Sequence, residues 1–213
     1  YGNYKLRAAI AKKQNDFYDQ GIEVDNVLVS LGATGAFYAT AMSLLNEGDE
    51  VILFEPYYGY HVATLKSIGC KVKFIRTTPP NYEIDFNELK EAISEDTKAI
   101  LICNPSNPSG KVYTKEELEK LSDIINANDL FLFSDEMYEH FIYDGLKFVS
   151  ALSIESLKER TVVISGFSKI YSITGWRLGY AITSKEVIDA ASAFNDLVYV
   201  CPPAPLQNGV LKG

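Results

Sequence analysis

Thr161-Val-Val-Ile-Ser-Gly-Phe-Ser-Lys169 and Gly175-Trp-Arg-Leu-Gly-Tyr-Ala-Ile182 decide how this chain folds. They contain two apolar runs, Thr161–Ser165 and Gly179–Ile182, joined by only about a dozen residues. A parallel pair of strands needs a longer, usually helical, crossover, so this spacing predicts that one strand is antiparallel. Working outward, five more apolar or β-branched runs precede them: Val27–Ser30, Val51–Phe54, Val72–Ile75, Ala99–Cys103 and Leu130–Ser134. Helical stretches separate most of these runs. Near-continuous apolar strands alternating with helices imply an α/β fold, a three-layer αβα arrangement around a mostly parallel seven-stranded sheet.

The helices carry their own start signals. Thr114-Lys-Glu-Glu117 is a capping box leading into Leu118, Leu121, Ile124 and Ile125 on one face. Asp85-Phe-Asn-Glu88 opens another helix with Leu89 and Ile93 inward, and Ser184 caps a third with Val187, Ile188 and Ala191 inward. Leu6, Ile10 and Phe17 predict an N-terminal helix that stops near Gly21. Thr77-Thr-Pro-Pro80 is the clearest loop signal. No internal repeat or long linker appears, and the chain reads as one α/β domain.

Composition narrows the function classes. A net charge of −8 over 213 residues disfavours nucleic acid and anionic membrane surfaces as partners. The three cysteines, Cys70, Cys103 and Cys201, are odd in number and form no Cys-x-x-Cys pair, so neither a zinc nor a redox site is expected. With no signal peptide pattern and no apolar run of membrane-spanning length, a cytoplasmic location is expected. The chain begins at Tyr1, not methionine, and ends in what reads as the start of a helix, Val210–Gly213. Residues 1–213 are therefore expected to be one domain cut from a longer protein at both ends.

In an open α/β sheet, ligands bind beyond the carboxyl ends of the strands. Four strand ends carry residues that a plain fold does not require. Gly32-Ala-Thr-Gly-Ala36 opens a helix, where backbone N–H groups and the helix dipole suit a phosphate; it also reads as a tight turn capped by Thr34. Neither Gly-x-Gly-x-x-Gly nor Gly-Lys-Ser/Thr is present, so the two standard nucleotide fingerprints are absent. Asn104-Pro-Ser-Asn-Pro-Ser-Gly110 holds Asn107 in a proline-stiffened loop, with an ordinary Asx turn as the alternative. Ser134-Asp-Glu-Met-Tyr138 places Asp135 at the end of a buried strand. There it can partner a protonated ring nitrogen, or merely cap a following helix. Lys169, at the junction of an apolar strand and a loop, is expected to be desolvated and hence a nucleophilic amine, with Arg177 nearby for a phosphate. The alternative is a solvated surface lysine, and a Ser168–Lys169 hydrolase dyad is disfavoured because strand neighbours face opposite ways. Among Tyr57, Tyr58 and Tyr60, one ring can stack on a flat cofactor. His61 and His140 have no metal-ligand spacing and read as structural or surface groups. A Schiff-base lysine with a phosphate site points to pyridoxal 5'-phosphate.

Phe167-Ser-Lys169 before Gly175-Trp-Arg-Leu-Gly-Tyr180, with Ser134-Asp-Glu-x-Tyr138 and Asn104-Pro-x-Asn-Pro-x-Gly110 upstream, resembles the class I/II aminotransferases of pyridoxal-phosphate fold type I. The resemblance covers essentially the whole chain. It implies that Lys169 carries the cofactor as an internal aldimine and that Asp135 pairs with the pyridine nitrogen. Asn107 and Tyr138 would bond the ring hydroxyl oxygen. Ala33, Thr34, Ser168 and Arg177 would hold the phosphate, with Tyr58 stacked on the ring. Gly166 stands where many members have a serine, so one hydroxyl contact is lost. The implied reaction transfers an amino group between an amino acid and a 2-keto acid, with Lys169 as the proton carrier. The resemblance further implies a homodimer, and residues 1–213 as the cofactor-binding large domain. The C-terminal small domain and its substrate-carboxylate arginine would lie outside the sequence, as would a partner-subunit tyrosine expected before Tyr1, so weak or no turnover is expected of this piece alone. A carbon–sulfur lyase, a decarboxylase or a non-catalytic cofactor-binding relative would share the same residues.

Overall fold

The computed structural model describes residues 1–213. The chain forms two compact units, one from residues 1–44 with 162–213 and one from residues 45–161. All seven expected strands are present: β1 (Val27–Leu31), β2 (Glu50–Glu55), β3 (Lys71–Arg76), β4 (Thr97–Cys103), β5 (Phe131–Asp135), β6 (Thr161–Gly166) and β7 (Leu178–Ile182). Seven α-helices accompany them: α1 (Tyr4–Tyr18), α2 (Gly32–Leu44), α3 (Gly59–Ser67), α4 (Phe86–Ala92), α5 (Lys115–Ala127), α6 (Lys185–Tyr199) and α7 (Ala204–Lys212).

In the first unit β7 is antiparallel to both of its neighbours. It pairs with β1 from Val27↔Ile182 to Leu31↔Leu178, and with β6 from Val163↔Ile182 to Gly166↔Gly179. This is the reversal that the short β6–β7 connection demanded. Gly179 lies opposite Ser30 on one side and Gly166 on the other. In the second unit all pairings are parallel: β5 with β4, β4 with β2, and β2 with β3. Each of these crossovers has room for a helix, as parallel pairing requires. β3, at the end of that set, carries Lys71, Lys73 and Arg76. Charges on such a strand oppose pairing with a foreign chain.

The capping signals act as their chemistry requires. Thr114 and Glu117 exchange hydrogen bonds with each other's backbone N–H at the start of α5. Asp85 accepts from Asn87 and Glu88 N–H to start α4, and Ser184 accepts from Val187 N–H to start α6. Leu118, Leu121, Ile124 and Ile125 of α5 pack with Ile100 and Leu132 in the core of the second unit. Burying each such side chain is worth about 1.5–3 kcal/mol. In α1, Leu6 and Ile10 are buried as expected, but Phe17 is 67 % exposed. It sits in the last turn, before Asp19 adopts a left-handed conformation and ends the helix, and the buried position one turn earlier is the polar Gln14.

Candidate active site

In the first unit, β1 runs directly into α2, and two glycines permit this. Gly32 has φ +71, and a β-carbon built on it would lie 2.6 Å from Nη2 of Arg177. A β-carbon on Gly179 would lie 2.3 Å from the backbone nitrogen of Ala33 and the carbonyl carbon of Gly32. The head of α2 therefore rests on bare β7 backbone, an approach that only glycine allows. Ser30 Oγ donates to the Gly32 carbonyl at 2.9 Å. Ala33 is half-buried and Thr34 exposed in the first turn, where N–H groups have no partner within the helix. Arg177 itself is left-handed, with φ 54, and its Nη1 donates to the Thr174 carbonyl at 3.0 Å. A guanidinium beside the N-terminus of a 13-residue helix is a donor set for a phosphate group.

Lys169 lies in a turn beyond the end of β6, and its side chain is exposed. The expectation of a desolvated lysine is corrected here: the strand ends at Gly166, three residues too early to bury it. What the fold supplies is an accessible amine on an anchored turn. Phe167 N–H donates to the Leu178 carbonyl at 3.2 Å, Tyr171 N–H to the Phe167 carbonyl at 3.2 Å, and Thr174 Oγ1 to the Ser168 carbonyl at 3.1 Å. Ser168 is buried where Lys169 is exposed. The two diverge as a dyad would not, though they do so in a turn and not along a strand.

In the second unit, Asp135 closes β5 with its side chain only 10 % exposed. Its Oδ2 lies 2.9 Å from His61 Nε2, and its Oδ1 accepts from Met137 N–H at 3.1 Å. No helix follows, since residues 137–140 form a turn, so the reading of Asp135 as a helix cap is set aside. His61 is the residue that sequence reasoning missed. It lies in the first turn of α3, buried to 5 % exposure, and α3 begins just past the β2 strand end. Its signal was position: it directly follows the Tyr57–Tyr60 cluster at a strand end.

Of the three tyrosines, Tyr57 stacks on Phe74 with centroids 4.7 Å apart, and Tyr60 is 62 % exposed. Tyr58 stands edge-on to His61, centroids 5.2 Å apart. Burial, then the neighbouring Tyr60 and Asp135, raise the Tyr58 hydroxyl above its usual range. Burial, then Cys103 and Asp135, raise that of Tyr138 in the same way. Both remain neutral donors at physiological pH. Cys103 is the register partner of Asp135 on β4, and burial pushes its thiol well up. Asn107 N–H donates to Cys103 Sγ at 3.5 Å. The loop's other asparagine, Asn104, is fully buried. It donates from Nδ2 to the Val149 carbonyl and accepts Tyr113 N–H, so it serves the fold. Glu136 also faces inward. It accepts from Ser134 Oγ and Ala151 N–H, both at 2.9 Å, and burial lifts its carboxyl to about 8.

Pyridoxal 5'-phosphate presents a phosphate, a reactive aldehyde and a ring nitrogen that binds a proton. The first unit supplies an anion cradle and an accessible primary amine, and the second supplies a buried, oriented carboxylate. Taken each by itself, the two units carry residues whose chemistry fits parts of that group.

The sequence model for "Aminotransferase class I and II" matches residues 1–213. The aspartate aminotransferase of Bacillus subtilis is 41% identical over 193 residues, covering 89% of this chain and 49% of that protein. The aspartate aminotransferase of Thermotoga maritima is 36% identical over 212 residues, 99% of this chain and 56% of that one. Among solved structures, YbdL from Escherichia coli, described with a methionine aminotransferase function, superposes with a TM-score of 0.96. It is 31% identical and covers 99% of this chain and 56% of that one. An aromatic aminotransferase from Pyrococcus horikoshii gives 0.95 at 33% identity, with 99% and 57% covered. The chain thus spans about half the length of the relatives it matches. No helix is long and apolar enough to cross a membrane.

Proposed function

Because the chain belongs to the class I and II aminotransferases, enzymes that use pyridoxal 5'-phosphate, we propose that residues 1–213 are the cofactor-binding large domain of a transaminase acting between an amino acid and a 2-keto acid. The observation that carries this reading is the buried Asp135–His61 pair, with carboxylate and imidazole 2.9 Å apart at the end of β5. A buried carboxylate is costly without partners. His61 and Met137 N–H supply two, and they orient the carboxylate to hold a proton on the ring nitrogen.

When bound, the cofactor supplies an electron sink for charge that develops at the substrate α-carbon. The chain's residues do the rest. Asn107 and Tyr138 bond the ring hydroxyl oxygen, with Tyr138 kept protonated by its burial. Tyr58 covers a ring face. Arg177, Ser168 and the first-turn N–H groups of Ala33 and Thr34 hold the phosphate. Lys169 Nζ is the covalent anchor. Freed from that bond, its amine would serve as the base that takes the proton from the substrate α-carbon. We place the whole enzyme in the cytoplasm as a homodimer. The three unpaired cysteines suit a reducing compartment. Turnover by residues 1–213 alone is expected to be weak or nil.

The test is titration with pyridoxal 5'-phosphate, borohydride reduction and peptide mapping. The label should concentrate on Lys169 and vanish in Lys169→Ala. Lys12 and Lys115 are the controls, with side chains 73% and 68% exposed. Label spread over these lysines in proportion to exposure would refute the assignment.

A further inference from the structure

We propose that Tyr199 is a positioning residue for the phosphate cradle: its hydroxyl fixes the point at which β1 becomes α2. The inference rests on the reading of that helix head as the phosphate site. Tyr199 is the last residue of α6, and its hydroxyl accepts the Leu31 N–H at 3.2 Å and donates to Asn195 Oδ1 at 2.6 Å. Asn195 is itself buried, and its Nδ2 donates to the Val29 carbonyl at 3.4 Å. Two side chains of α6 thus grip β1 at Val29 and Leu31. The next residue is Gly32, against which the Arg177 guanidinium lies.

The hydroxyl also needs space on α2, and Gly35 provides it. A β-carbon on Gly35 would meet Tyr199 Oη at 3.2 Å, tighter than most real β-carbon contacts. The helix head is therefore held from two directions, by the bare backbone of Gly179 on β7 and by the Tyr199 hydroxyl from α6. Phenylalanine could fill the same volume, but it could not receive the part-buried Leu31 N–H, and a donor shielded from water without a partner is costly.

The chain is strained immediately afterwards. Val200 adopts φ 63 and ψ −67, and Cys201 N–H closes on the Tyr199 carbonyl at 2.7 Å. That is the rare form of γ-turn, and it is costly for a β-branched residue. Strain of this kind persists where surrounding contacts over-determine the backbone. The Leu31–Tyr199–Asn195 relay is such a set of contacts. Burial raises the Tyr199 hydroxyl above its usual range, so the relay stays intact across the working pH.

Two ligands separate positioning from general stability: pyridoxal 5'-phosphate, and pyridoxal, which has the same ring and aldehyde without the phosphate. Tyr199→Phe should weaken binding of the phosphorylated ligand about 3- to 10-fold, the span of one neutral hydrogen bond, and leave pyridoxal within about twofold. Equal weakening of both ligands, or of neither, would overturn the proposal. If the wild-type chain binds pyridoxal as tightly as its phosphate, the phosphate reading itself fails and this inference falls with it. If circular dichroism shows Tyr199→Phe unfolded, Gly35→Ala takes its place. It keeps the hydroxyl but displaces it by a few tenths of an ångström, and it favours the helix. The same selective loss is expected, and its absence overturns the proposal.

Discussion

Replacing Gly179 by alanine adds a single methyl group, and the structure allows its cost to be estimated. The new β-carbon would sit 2.3 Å from two backbone atoms, Ala33 N and Gly32 C, and 2.8 Å from the Gly32 carbonyl oxygen. Ordinary contact begins at 3.4 Å, so strand and helix must separate by roughly 1 Å. Neither yields easily, because Gly179 is paired to Ser30 and to Gly166. Overpacking of this kind costs about 1–3 kcal/mol, and rigid backbone on both sides puts the expectation near 3 kcal/mol. For a chain of this length that is a fall in Tm of roughly 6–12 °C. Thermal and urea unfolding of Gly179→Ala should be compared with Gly59→Ala. Gly59 has nothing within 4 Å of its added β-carbon, and alanine there should stabilise by about 0.4–1 kcal/mol. The displaced helix head should also bind pyridoxal 5'-phosphate more weakly. If Gly179→Ala unfolds within about 0.5 kcal/mol of wild type, the close approach of α2 to β7 is wrong.

Three further outcomes are expected. Glu136 has a carboxyl raised by burial to about 8, so the folded chain keeps a proton that the unfolded chain releases above its ordinary value of 4.5. Stability therefore falls as pH rises from there to about 8 and is flat beyond, a loss on the order of a few kcal/mol; Glu136→Gln should flatten that slope in urea titrations run from pH 5 to 9, and an unchanged slope would place the titrating group elsewhere. In the full-length enzyme, Asp135→Asn should lower kcat by about 10²–10³, the scale of one preorganised electrostatic contact. His61→Phe should cost only about tenfold, because Met137 N–H still holds Oδ1. Equal losses in the two variants would mean that His61 does more than orient the carboxylate.

What could be read from the sequence follows from what is local. The capping residues Asp85, Thr114 and Ser184 act within three residues of themselves, so composition and spacing suffice. The antiparallel β7 followed from a connection too short for a crossover. Contacts distant along the chain were not legible. His61 and Asp135 lie 74 positions apart, on a helix and a strand that only the parallel order of β2, β4 and β5 brings together. The exposure of Lys169 depended on where β6 stops, and an apolar run marks a strand more firmly than it marks its end. Phe17 failed for a related reason: the 3.6-residue period assigns it to the buried face, but periodicity does not say how far along α1 the cover extends. Gly32 and Gly179 read as turn and strand glycines, and their real constraint, another backbone, is invisible in sequence.

The division of the first unit between residues 1–44 and 162–213 also has a meaning in time. During synthesis, β1 and the head of α2 leave the ribosome before the whole of residues 45–161 is made, and before β7 exists to receive them. At cellular translation rates that interval is on the order of ten seconds, far longer than a helix or a hairpin needs to form. The second unit is contiguous, and its parallel strands can complete their pairings within that time. The anion cradle then assembles late, closing the long loop between Gly32 and Gly179, so a nascent polypeptide cannot capture a phosphorylated ligand through it until β7 has been translated.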